Sequence, residues 1–362
     1  MAAMDPARRL IDLQILRFAA ALLVVFAHAV DLAQHVGATP SVLAAGGLEN
    51  FGAAGVDVFF VISGFIITRT AGRARSASDF AVSRIWRVVP LYWLAVLPWL
   101  VIKADALTAP MLVATFAFWP AAGPGVALPV LDVGWTLCFE MLFYGVVALI
   151  IAGGMRRQGV LAALIAYAAC WALRLWTGAP AFQILGNPII LEFLMGAAAA
   201  ALAPRLSRRA GGALLALGVA GFAVGILMGF GKISEWRQIL TGVLSLPRVA
   251  IWGLPALAVT LGAIALESDG APGPLRRGLA RLGDASYALY LIHPLALLAA
   301  QTLLGDAKGL PGDLVILAAL IVCPLLALAA HLWIERPLLA RRPARASSPP
   351  DPDRALRPAQ HG

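Results

Sequence analysis

The sequence predicts an all-α fold, a polytopic membrane helix bundle of about ten transmembrane helices with both termini cytoplasmic. Composition is the first reason. The chain is 61% hydrophobic and 13% charged, with a mean hydropathy of +0.85, whereas a soluble domain carries about a quarter charged residues. The second reason is that apolar stretches long enough to cross a bilayer recur ten times. The third is that arginines crowd every second connection, which places those connections and both ends on the cytoplasmic side.

In chain order, MAAMDPARR followed by a long apolar run reads as a retained first span, 10–30, rather than a cleavable signal. This span carries Arg17 and His28, and a charge in hydrocarbon costs roughly 2.5–3.5 kcal/mol. They are eleven positions apart, which returns them to nearly the same helix face about 16 Å apart. The second span, 51–68, holds Asp57 in GVDVFFVISGF, and the third, 86–102, starts beside Arg84 and Arg87, three apart on one face. Segment 109–119 is apolar but short, between Pro110 and Pro120, and reads as a re-entrant or interfacial piece of a long loop. The fourth span, 133–152, contains Trp135 and Glu140 in GWTLCFEMLFYG. Spans 160–177, 182–203 (with Glu192), 211–230 and 248–267 follow. The ninth, 284–304, carries Tyr287, Tyr290 and His293 in GDASYALYLIHP, and the tenth is 313–334. Residues 1–337 thus form one membrane domain, and 338–362, rich in Arg, Pro and Ser, form a disordered basic cytoplasmic tail.

The net charge of +9 does not indicate nucleic acid, because the basic residues lie between spans and in the tail. Lys103, Arg174, Lys232, Arg237, Arg248 and Lys308 make up the sparse outer set. Cys138, Cys170 and Cys323 sit in apolar stretches as packing residues. No metal-ligand spacing, GxSxG, P-loop or dinucleotide fingerprint occurs, so neither a metal nor a bound cofactor is expected. This orientation puts Arg17 in the cytoplasmic half of the first span and His28 near its outer end, with Asp57 and Glu140 converging on the layer of His28. Each such residue fits either an interhelical hydrogen bond or a functional group, and Asp57 also fits a local helix cap. Arg84 and Arg87 fit a fork onto phosphate oxygens as well as the ordinary positive-inside bias.

Six stretches, LQILRFAAALLVVFAHA, GVDVFFVISGFIIT, SRIWRVVPLYWL, GWTLCFEMLFYG, GDASYALYLIHP and WIERP, occur in this order across 10–337. Together they resemble acyltransferase family 3, integral membrane enzymes that O-acylate extracytoplasmic carbohydrates and some small molecules. The resemblance implies a multi-pass protein of the bacterial inner membrane that uses acyl-CoA, acetyl-CoA above all, as co-substrate. Its acceptor would be a carbohydrate, a glycolipid or a glycosylated small molecule. Carried over to this chain, Arg17 and His28 match the family's Arg/His pair, Arg84 and Arg87 its paired arginines, and Glu140 the acid after the tryptophan motif. The fused SGNH-type domain of some members is not in this sequence, so the membrane domain is expected to complete transfer.

The expected chemistry has Arg84, Arg87 and Arg17 binding the donor and His28 acting as general base on the acceptor hydroxyl. An acyl-imidazole on His28 is a variant. Glu140 or Asp57 would hold the imidazole, and Trp135, Tyr287, Tyr290 and His293 would line the tunnel or acceptor site. A proton-coupled transporter or exporter is the competing class, and a scaffold subunit of a polysaccharide-assembly complex is a third.

Overall fold

The computed structural model describes residues 10–45, 48–155, 158–230, 235–268, 270–306 and 308–341. Arg8, Arg9, Arg156, Arg157, Lys232 and the tail from 342 onward lie outside the described residues. Among the described residues, ten helices are long and apolar enough to cross a membrane: Ile11–His35, Ala54–Ala71, Ala77–Ile102, Asp132–Ala152, Gly159–Thr177, Pro180–Arg205, Arg208–Leu227, Ser245–Leu266, Ser286–Leu304 and Gly312–Ala340. They are called the first to tenth spans below. Among the described residues there is no strand, only an isolated bridge between Thr39 and Pro311.

The third span begins nine residues before the expected 86. Hydropathy places a start where apolar residues begin, but this helix starts at its cap: Ser76 accepts a hydrogen bond from the Asp79 N–H at 3.1 Å. Arg84 and Arg87 therefore stand within the helix rather than at its start. Segment 109–119 forms an eight-residue helix, Ala109–Phe116, too short to cross. Residues 338–340, expected in the tail, continue the last helix as Arg336–Ala340.

Three spans are interrupted, and each interruption has a local cause. The sixth breaks between Pro180–Leu185 and Ile190–Leu202. Buried Asn187 repairs the gap, donating through Nδ2 to the Ile239 and Leu240 carbonyls at 2.9 and 3.0 Å and accepting the Ile189 N–H at 3.0 Å. Freed backbone groups at membrane depth need such partners. The eighth and tenth spans widen into π turns at Val249–Gly253 and His331–Glu335. Each π turn is followed two residues later by proline, Pro255 or Pro337. A proline ring has no N–H and clashes with the carbonyl four residues back, and one extra residue in the preceding turn relieves that clash.

Close helix contacts fix the polarity of neighbours. A Cβ on Gly52 would meet Ala27, whereas one on Gly55 would meet Ala20, so the first and second spans run antiparallel. The seventh and eighth pack in the same sense: Gly211 faces Ala265, Gly218 faces Val259 and Gly225 faces Trp252. Small residues at such a seam let backbones approach without hydrocarbon between them.

A Cβ at Gly218 would lie 2.6 Å from Val259 Cγ1 and 2.8 Å from its backbone nitrogen, whereas nothing lies within 4 Å of one at Gly212. Gly218→Val is therefore expected to lower the thermal midpoint in detergent by the equivalent of about 1–3 kcal/mol, and Gly212→Val to leave it near the parent value.

Candidate functional site

Alternating helix direction sorts the polar residues into two cavities at different depths. The first, about 130 Å³, is lined by Arg17 from the first span, Ser63 from the middle of the second, and Arg84 and Arg87 from the third. Glu140 and Tyr144 from the fourth span and Tyr287 from the start of the ninth complete its polar wall. It lies towards the membrane face at which the chain's first span begins. Three guanidinium groups against one lining carboxylate make it a site for an anion.

Each arginine has a distinct anchor. Arg17 donates to Gln14 Oε1 at 2.9 Å, and Arg84 Nε donates to Ser83 Oγ at 3.3 Å. Arg87 donates to the buried carboxylate of Glu335, which also takes Nδ1 of His331 at 2.7 Å. The Arg87 guanidinium lies 5.5 Å from the Tyr287 ring centroid, and the Tyr287 hydroxyl donates to the Val88 carbonyl at 2.7 Å. Glu140 accepts from Tyr144 at 2.7 Å and from Ser63 at 3.2 Å.

The second cavity, about 90 Å³, lies towards the opposite face and is lined by His28, Asp132, Trp135, Trp236, Arg248 and Tyr290 among others. His28 is three turns beyond Arg17 on the same helix, and its ring centroid is 5.1 Å from that of His293. The nearby carboxylate is Asp31, with Oδ2 4.0 Å from His28 Nδ1. His293 is fully buried; its Nδ1 faces the Leu289 carbonyl at 3.0 Å, and its Nε2 has no partner among the described residues. A carbonyl can only accept, so neutral His293 carries its proton on Nδ1 and leaves a lone pair on Nε2.

Val56 and Tyr290 line both cavities and form the wall between them. The Tyr290 hydroxyl donates to the Val133 carbonyl at 2.8 Å and sits 2.8 Å from Thr136 Oγ1, which pins the ring.

Two expectations about His28 need correction. Glu140 does not share its layer, because it belongs to the arginine cavity beyond the Tyr290 wall. Asp57 is near His28 in depth, but its carboxylate is taken: Arg248 Nε donates to Oδ1 at 2.9 Å and Nη2 to Oδ2 at 2.7 Å. Arg248 Nη2 also donates to the Ala53 carbonyl at 2.7 Å. These side chains are 4% and 0% exposed, so an arginine expected in an outer connection is instead half of a buried ion pair. Glu192, also fully buried, abuts the π turn that follows Arg248: a Cβ on Gly253 would lie 2.7 Å from its Oε1.

Arg248, Glu335, Ser63 and Thr136 are therefore the site residues that sequence reasoning missed. For Arg248 and Glu335 a signal existed, a charged residue in or beside a turn that precedes a proline within an apolar run (RVAIWGLP and WIERP). The hydroxyls of Ser63 and Thr136 had none. Among the described residues, no group of three or more His, Cys, Asp or Glu could hold a metal ion.

Residues 10–331 match the sequence profile of the family described as Acyltransferase domain. The chain belongs to acyltransferase family 3. It is similar to the exopolysaccharide production protein ExoZ of Rhizobium meliloti (strain 1021), 37% identical over 316 residues that cover 82% of this chain and 92% of the relative. No solved structure matches. The arginine cavity and the histidine cavity accordingly belong to a multi-pass membrane acyltransferase, with the six stretches read from the sequence lining or bracing them.

Leaving one member of a buried ion pair unpaired costs about 3–5 kcal/mol, whereas replacing both is far milder. Arg248→Gln alone is expected to lower the thermal midpoint sharply, and Asp57→Asn combined with Arg248→Gln to recover most of the loss. Midpoints of the two single variants and the double variant in detergent, read as a cycle, check this.

Proposed function

We propose that this protein transfers an acyl group, acetyl in particular, from acyl-CoA to a hydroxyl of a cell-surface polysaccharide or its lipid-linked precursor. In this reading it lies in a bacterial inner membrane with the arginine cavity on the cytoplasmic side. The observation that carries the proposal is the stacking of an anion-binding cavity and an imidazole cavity on either side of one thin wall. The name of the relative ExoZ supports an exopolysaccharide acceptor, and the excess of arginines in the connections at the first span's starting face supports the orientation.

The donor's phosphates are held by Arg17, Arg84 and Arg87, where partial desolvation strengthens charge-assisted hydrogen bonds. Arg87 is restrained by Glu335, which leaves Arg17 and Arg84 the freer cations. The acyl arm runs along Ser63, Glu140 and Tyr287 and passes between Val56 and Tyr290, so that the thioester enters the second cavity. On the other side the acceptor stacks on Trp135, Trp236 and Tyr290, amphipathic rings suited to a sugar face. His28 takes the acceptor's hydroxyl proton as the oxygen attacks the thioester carbon. His293, with its Nε2 lone pair, orients the His28 ring and accepts its N–H, the part expected of Glu140 or Asp57. The proton passes to the thiolate of coenzyme A as the C–S bond breaks.

With acetyl-CoA and de-O-acetylated exopolysaccharide of the producing cell as acceptor, His28→Ala is expected to keep its thermal midpoint and donor binding. Its coenzyme A release should fall at least about 100-fold; full activity would refute the catalytic assignment. Arg84→Ala, which leaves the Arg87–Glu335 pair intact, is expected to raise the KM for acetyl-CoA by roughly 10-fold or more, the loss of a charged hydrogen bond. Unchanged affinity would make that arginine topological, and acceptor flux without thioester consumption would mark a carrier.

A further inference from the structure

Arg248 is more than the counter-ion of Asp57. A guanidinium has five N–H donors. The Nε and both Nη2 donors are spent on Asp57 Oδ1, Asp57 Oδ2 and the Ala53 carbonyl. Nη1 makes no hydrogen bond among the described residues, although the side chain is 4% exposed and lines the cavity that His28 lines. Two donors of a permanent cation are thus left free in the cavity that His28 also lines. Three hydrogen bonds, two to Asp57 of the second span and one to Ala53 just ahead of it, fix their direction, and the carboxylate compensates their charge.

We propose that Arg248 is a catalytic residue: its Nη1 receives the thioester carbonyl oxygen as that oxygen gains negative charge in the transition state. The assignment rests on the acyl-transfer reading above and adds the electrophilic half that His28 cannot supply. As the acceptor oxygen bonds to the carbonyl carbon, the C=O π pair moves onto oxygen and is held by Nη1–H. When that pair returns, the C–S bond breaks and coenzyme A leaves with the proton carried by His28. A donor already locked in place needs no reorganisation when the charge appears, and in a water-poor cavity its effect is large. Asp57 is then a positioning residue, holding the fork so that the free edge faces the cavity.

The test uses the full-length protein in nanodiscs with de-O-acetylated exopolysaccharide of the producing cell. Two donors are compared, acetyl-CoA and its analogue with a thiocarbonyl in place of the carbonyl, a poorer hydrogen-bond acceptor. The Asp57→Asn, Arg248→Gln double variant is expected to fold, to keep its KM for acetyl-CoA and to lose about 10²–10³-fold in kcat. The parent's preference for the oxygen donor over the sulfur donor should shrink by a similar factor. An unchanged preference, or a kcat within threefold of the parent, overturns the assignment. If the double variant does not fold, Arg248→Lys keeps a cation opposite Asp57 without the fork, and the same loss of preference is expected; a retained preference overturns the proposal. Failure of the underlying reading looks different, since the parent itself would then release no coenzyme A.

Discussion

A charge in hydrocarbon has to be matched where it stands, and the Asp57–Arg248 pair is the point on which this bundle turns. Two residues 191 positions apart tie the beginning of the second span to the beginning of the eighth. The Ala53 carbonyl adds a third bond just ahead of the carboxylate. The pair sets the rotation of both helices, and that rotation decides what else faces the second cavity. Val56 is brought to the wall, and the π turn after Arg248 brings Gly253 against the carboxyl of Glu192. A buried ion pair is a poor source of net stability compared with apolar packing. Its value here is specificity, because any other rotation strands a full charge.

The opposite end of the bundle repeats the device. Glu335 closes the tenth span onto the third through Arg87, and His331 completes the cluster one turn earlier on its own helix. Both clusters sit at π turns enforced by a downstream proline. The two cavities are thereby bounded at different depths by inter-span ionic contacts, while the apolar seams between glycine-rich helices supply the remaining packing. Such a frame keeps three arginines in one cavity without collapsing them onto the nearest carboxylate, because of the three only Arg87 donates to Glu335 and Glu140 Oε1 accepts from Ser63 and Tyr144.

Ten spans were legible because a bilayer imposes a length on apolar runs, and the pairing of Arg17 with His28 followed from helix periodicity alone. Depth was less legible. Counting from hydropathy boundaries put Glu140 beside His28, although the fourth span begins within one residue of the expected position; the error lies in the relative depth of neighbouring helices, which packing sets and hydropathy does not. The partner of Asp57 was out of reach for another reason. Arg248 reads as one more basic residue of an outer connection until tertiary packing folds it inward, and only the apolar run and proline that follow it set it apart from Arg237. His293 was visible as a polar residue of the ninth span, but the unpartnered nitrogen that sets it against His28 follows from a backbone hydrogen bond to Leu289.

The wall formed by Val56 and Tyr290 also bears on how the cell keeps its energy. The proposed route, which hands an acyl group from one side of a membrane to the other, would invite protons and ions to follow, and such a leak would dissipate the transmembrane potential. Here the two polar cavities adjoin at one aliphatic side chain, Val56, and one aromatic ring, Tyr290, whose hydroxyl is anchored. In the proposed acyl-transfer reading, the side chains that the acyl arm must pass are therefore the same ones that stand in the way of an ion.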